Sequence, residues 1–144
     1  IHLGQAPGAA AVKLESIGLN IGGRSEQRAE DFRRLVDEGP VAYQSALPLA
    51  EWARSLRAKG VPTSMSYNAG SYLCNATLYL SHFFADTMNL KTKSAFIHLP
   101  LDHTQTIQQN DDLPAMSSAM AARTLSIVVG ELTKPTLADA QELA

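Results

Sequence analysis

Between Pro48 and Pro100 the sequence alternates helix-like and strand-like segments twice, a pattern that few architectures other than a layered α/β domain accommodate. Leu49, Trp52, Ala53 and Leu56 fall at i, i+3, i+4 and i+7, so Pro48 to Lys59 predicts a helix with one apolar face. Gly60 ends it, and Lys59 suits the negative C-terminal end. Val61 to Tyr67 reads as a strand and Leu73 to Met88 as a helix apolar on most sides, buried or at an interface. Ser94 to Pro100 reads as the next strand. Upstream, Gly4 to Ala11 reads as a loop and Val12 to Ile21 as a strand or extended ribbon. Gly22 to Ser25 is a turn, and the mixed charges of Glu26 to Glu38 predict a solvated helix or surface excursion. Downstream, Leu101 to Asp112 is expected to be a polar loop. Pro114 to Leu132 is expected to be a helix with Pro114 in its first turn, followed by a weakly structured tail after Pro135.

At 144 residues the chain is the size of one domain. A net charge of −2 supplies no footprint for nucleic acid or an anionic membrane surface. No apolar run approaches the roughly 18 residues of a membrane span. A lone cysteine excludes an internal disulfide, so a reducing, cytoplasmic setting is expected. The four histidines and one cysteine have no tight metal-ligand spacing, and no glycine pattern fits a phosphate loop, so neither metal nor cofactor is expected. The chain opens Ile1-His2-Leu3-Gly4, like a strand entered partway, and the single domain 1–144 is expected to be incomplete at its N-terminus.

The lone cysteine, Cys74, follows a strand and a Gly70-containing turn and stands at the start of the next helix. Unpaired backbone N–H groups and the positive end of the macrodipole favour a thiolate there. Such placement can lower a thiol pKa from about 8.5 to roughly 3.5–7.5. The alternative is a small, inert, buried side chain. If the strands around them are parallel neighbours, Cys74 and His98 emerge on one sheet edge, beyond the carboxyl ends where ligands gather. A cysteine hydrolase also needs a group to fix the histidine tautomer. Asp102 and Asp86 are near in sequence. Glu15, flanked by apolar residues, is either a partner buried with His98 or the exposed face of an amphipathic strand. His82 reads as a hydrogen-bonded packing residue, and His2 and His103 as surface or loop positions.

Gly70-Ser71-Tyr72-Leu73-Cys74-Asn75, Phe96-Ile97-His98-Leu99-Pro100, and Glu15 followed five residues later by Asn20 resemble the signature blocks of the pyroglutamyl peptidases. These are cysteine exopeptidases, or omega peptidases, that remove an N-terminal pyroglutamate. The resemblance extends from His2 to about the last helix. It implies a three-layer α/β/α sandwich with a mostly parallel central sheet, and a Glu15–Cys74–His98 triad. It further implies a homo-oligomer, dimer or tetramer, acting on peptides with an N-terminal pyroglutamate. Gln5 is implied to contact substrate, with Tyr72 and Leu73 lining the ring pocket. The oxyanion would be held by the Cys74 N–H and Arg24. Ala6-Pro7-Gly8-Ala9, Ser16 and the residues after Arg24 depart from the family pattern. The resemblance also implies an earlier strand and a phenylalanine-bearing loop, without which the chain would be a poor catalyst. Two other readings are a related cysteine amidase of different specificity, and an inactive fragment or paralogue that keeps the fold.

Overall fold

The computed structural model describes residues 1–24, 26–109 and 112–134, and the reading of the tail after Pro135 lies outside them. Its central sheet contains β1 (His2–Gln5), β2 (Val12–Glu15), β5 (Thr63–Ser66) and β6 (Phe96–Leu99), in the order β1-β6-β2-β5. Two of the three pairings, β1 with β6 and β2 with β5, are parallel; β2 and β6 are antiparallel. Strand β3 (Ile17–Leu19) and β4 (Ala42–Gln44) form a separate antiparallel ribbon, so Val12 to Ile21 is extended but breaks at Ser16. The charged 26–38 segment is a surface excursion with one 3-10 turn, Ala29–Asp31.

Strand alternation divides the central sheet into two chemically different faces. Val12, Leu14 and Ile97 point to one of them. There they join Leu49, Trp52, Ala53 and Leu56 of α1 (Leu49–Ala58) and Ile127 and Val128 of α4 (Ser118–Leu132) in the apolar core. The amphipathic face of α1 is therefore the one its spacing predicts. Ser55 Oγ donates to Glu131 Oε1 at 2.7 Å and ties the two helices together. The register puts His2, Gly4, Lys13, Glu15, Phe96 and His98 on the opposite face. Helix α2 (Leu73–Thr87) packs on the β3–β4 ribbon and reaches β1 with its first turn. Helices thus lie on both sides of a mostly parallel sheet.

Three local expectations are corrected. The opening strand is His2–Gln5 and includes Gly4 and Gln5, because it pairs with β6, so the loop begins only at Ala6. Leu101 to Asp112 is not wholly a loop: β7 (Leu101–Asp102) pairs with β8 (Ala115–Met116), and α3 (His103–Gln109) follows β7. Asp102 Oδ1 accepts from the backbone and hydroxyl of Thr104, which starts the turn and holds that carboxyl below its ordinary range. Pro114 does not open the last helix. It precedes β8, and α4 starts after Ser117, whose hydroxyl accepts from the Met120 N–H at 3.2 Å. Ser117→Ala is expected to cost about 1 kcal/mol of stability, read as a lower denaturation midpoint, because it orphans that N–H.

Candidate active site

The nucleophile candidate is positioned by a turn and a short helix start. Gly70 has φ +83, a left-handed conformation that a side chain disfavours, and it turns the chain from β5 into α2. Tyr72, at the N-cap of α2, makes no side-chain capping hydrogen bond. Asn75, the residue after Cys74, is fully buried. Its amide accepts from the Leu19 N–H at 2.8 Å and donates to the Leu19 and Ile21 carbonyls at 2.9 Å each. Ser71 and Gly23 exchange two more hydrogen bonds, from the Gly23 N–H at 2.8 Å and from Ser71 Oγ at 3.1 Å. The start of α2 is thereby stitched to the segment that carries Arg24.

On the polar face of the sheet, His98 Nδ1 donates to Glu15 Oε1 at 2.7 Å. Both side chains are buried, Glu15 at 1% exposure. Glu15 pairs in register with Phe96, so it meets His98 as a diagonal cross-strand neighbour. Its other oxygen has no partner among the described residues, so His98 is the group that offsets the burial of this carboxylate. The candidates near in sequence are engaged elsewhere: Asp86 accepts from the Tyr43 hydroxyl, and Asp102 from Thr104.

Cys74 Sγ approaches the same face over Gly4, which is the register partner of His98. Among the described residues no hydrogen bond joins Cys74 to His98. In a resting site such contacts are often long and tighten only when substrate is bound. The two residues do not meet as neighbours on one sheet edge, because β2 lies between β5 and β6 and runs antiparallel to β6. Both lie instead on one face of the sheet, Cys74 Sγ against Gly4 of β1 and His98 at the paired position of β6. The thiol also departs from the sequence expectation. Burial, and then the negative charge of Glu15, push its pKa up, while its own backbone N–H pulls it down. A thiol that holds its proton at rest requires a base when it reacts.

The thiol lines a hollow of about 210 Å³ with His2, Leu3, Leu73, Thr77 and Phe96. A second hollow, of about 290 Å³, also lined by Leu73, includes Arg24, Leu35, Tyr72 and Ala76. The Arg24 guanidinium stands 5.5 Å from the centre of the Tyr72 ring. Gln5 is not brought to the thiol. It points to the other face of β1 and exchanges hydrogen bonds with Gln105 at 2.6 and 3.1 Å. His2 is no loop residue: it is half-buried and stacks on Phe96 at 6.3 Å. His103 is exposed at the start of α3. His82 packs on Tyr43, but its Nε2 has no hydrogen-bond partner among the described residues. Gly4, Phe96 and His2 went unread at the site; a glycine inside a strand, which often marks close approach, was the available signal.

The family model described as pyroglutamyl peptidase matches residues 1–134. A pyrrolidone-carboxylate peptidase of Bacillus cytotoxicus is 32% identical over 135 residues, covering 90% of this chain and 62% of that protein. One of Pyrococcus furiosus is 36% identical over 114 residues, covering 76% of this chain and 54% of that protein. Among solved structures, a mutant pyrrolidone carboxyl peptidase from P. furiosus superimposes with a TM-score of 0.84 at 30% identity, over 90% of this chain and 66% of that one. The enzyme from Fervidobacterium islandicum gives 0.84 at 27% identity, over 91% and 66%. A mostly parallel sheet between helices defines the class of fold. The chain belongs to the pyroglutamyl peptidase family. It spans about three fifths of the length of the curated relatives it matches.

Proposed function

We propose that this single domain is a thiol protease of the exopeptidase kind, hydrolysing the amide after an N-terminal pyroglutamate through Cys74, His98 and Glu15. The observation that carries the reading is the buried 2.7 Å contact between His98 Nδ1 and Glu15 Oε1, with Cys74 Sγ seated over the strand position beside His98. Glu15 fixes the histidine tautomer that leaves Nε2 free to accept a proton. His98 takes the thiol proton as Sγ attacks the scissile carbonyl, forming a C–S bond and an oxyanion. Collapse breaks the C–N bond, and His98 returns the proton to the departing amine. Water, deprotonated by His98, then attacks the thioester and releases pyroglutamate and the free thiol. Peptides with an N-terminal pyroglutamate are the substrates, Tyr72 and Leu73 line the ring site, and Gln5 reaches substrate only if it leaves Gln105. The reading carries with it a homo-oligomer and a reducing, cytoplasmic compartment that keeps the thiol free.

The oxyanion faces the Cys74 N–H, with Arg24 as the second donor. Losing one such donor typically costs 10²–10³ in kcat. Arg24→Ala is expected to lose about that much, and unchanged kcat would remove Arg24 from the reaction. The whole reading is tested by comparing release from pyroglutamyl and prolyl amides. Faster prolyl release would favour a related amidase, and no release together with a thiol inert to alkylation would favour an inactive homologue.

A further inference from the structure

Gly4 is the one position on the polar face of the sheet without a side chain, and it lies where the face is most crowded. A Cβ built there would stand 2.8 and 2.9 Å from Cζ and Cε1 of Phe96 and 3.1 Å from Cys74 Sγ. The backbone does not demand glycine at this point, since the positive-φ glycines are Gly8, Gly60 and Gly70. Space is the requirement. The Phe96 ring, 3% exposed, fills the gap from one side and lies 4.9 Å from the His98 ring at 55°. Its other neighbour is His2. One aromatic side chain therefore touches both the seat of the thiol and the imidazole.

We propose that Gly4 and Phe96 are positioning residues that set the alignment of Cys74 with His98. The absent side chain lets Sγ settle against the sheet, and the Phe96 ring fixes the width of that seat while buttressing the imidazole. The inference rests on the Cys74–His98 reading and adds to it the elements that hold the pair in register. Misplacing a reacting atom by about 1 Å can cost on the order of 10²-fold in rate.

The test uses the full 144-residue chain and the variants Gly4→Ala, Phe96→Leu and the double variant, each checked for folding by near-ultraviolet circular dichroism. Pyroglutamyl amide hydrolysis gives kcat and KM, and the rate of iodoacetamide alkylation against pH reads the thiol even where turnover is slow. Gly4→Ala is expected to lower kcat about 10- to 100-fold with KM within about twofold. It should also move the alkylation midpoint down, because a thiol pushed off its seat leaves its burial and the Glu15 charge. Adding Phe96→Leu removes Cζ and Cε1 and should recover kcat at least about threefold over Gly4→Ala. A folded Gly4→Ala protein with unchanged kcat and alkylation profile overturns the proposal. So does one that loses kcat with the alkylation midpoint unmoved. Should Gly4→Ala not fold, Phe96→Leu alone decides: lower kcat with an altered pH–rate profile supports the proposal, and unchanged values overturn it. The triad reading fails separately, by turnover surviving in Cys74→Ser.

Discussion

Cys74→Ser is expected to remove turnover of pyroglutamyl amides by a factor on the order of 10⁴ or more, while the fold survives. A hydroxyl is far less acidic than a thiol and a poorer nucleophile, so the same His98 cannot deliver it to the carbonyl at a useful rate. The side chain is only partly buried and the change is one atom, so no cavity opens. Circular dichroism and the unfolding midpoint should stay near wild type. Substrate affinity should persist, since Leu73, Phe96 and the rest of the hollow are untouched. The decisive measurement is kcat on purified, folded variant protein. Turnover within about tenfold of wild type would sink the nucleophile assignment.

Glu15→Gln is expected to give two effects of opposite sign. The amide keeps the volume but can no longer fix the His98 tautomer or stabilise an imidazolium, so kcat should fall by about 10²–10⁴. The thiol should become easier to ionise. Burial is the larger cause of its raised pKa and remains, but the Glu15 charge, the second cause, is gone. The midpoint of alkylation against pH therefore moves down while catalysis collapses. A residue that merely packs would lower both stability and rate without moving the thiol in that direction. An upward move of the midpoint, or an unchanged kcat, would contradict the role given to Glu15.

Much of the fold was legible because it is written in local patterns. Leu49, Trp52, Ala53 and Leu56 lie on one face of a helix and are buried together as their spacing requires. The turn at Gly70 and the start of α2 at Leu73 follow from a glycine between a strand-like run and an apolar run. What local patterns do not encode is which strands become neighbours. The insertion of β2 between β5 and β6, antiparallel to one and parallel to the other, depends on hydrogen bonding between distant segments. Hence Cys74 and His98, expected at one sheet edge, lie instead on one sheet face. Cys74, His98 and Glu15 could be singled out because reactive side chains carry their chemistry in their identity. Gly4 contributes by having no side chain, which local pattern alone scarcely records. The raised thiol pKa was likewise out of reach, since it arises from burial and from a carboxylate far away in sequence.

The pairing of β1 with β6 also bears on how the protein reaches its native state. His2 aligns with Phe96 and Gly4 with His98, contacts between residues 94 positions apart in the chain. Helices form from nearby residues and can appear early, whereas such distant pairings carry a larger loop-closure cost and slow folding. Until those strands close, Cys74 lacks its seat over Gly4. The seat of the thiol thus depends on the most non-local pairing of the central sheet. Pulsed alkylation during refolding would time sheet closure through the disappearance of the fast-reacting thiol.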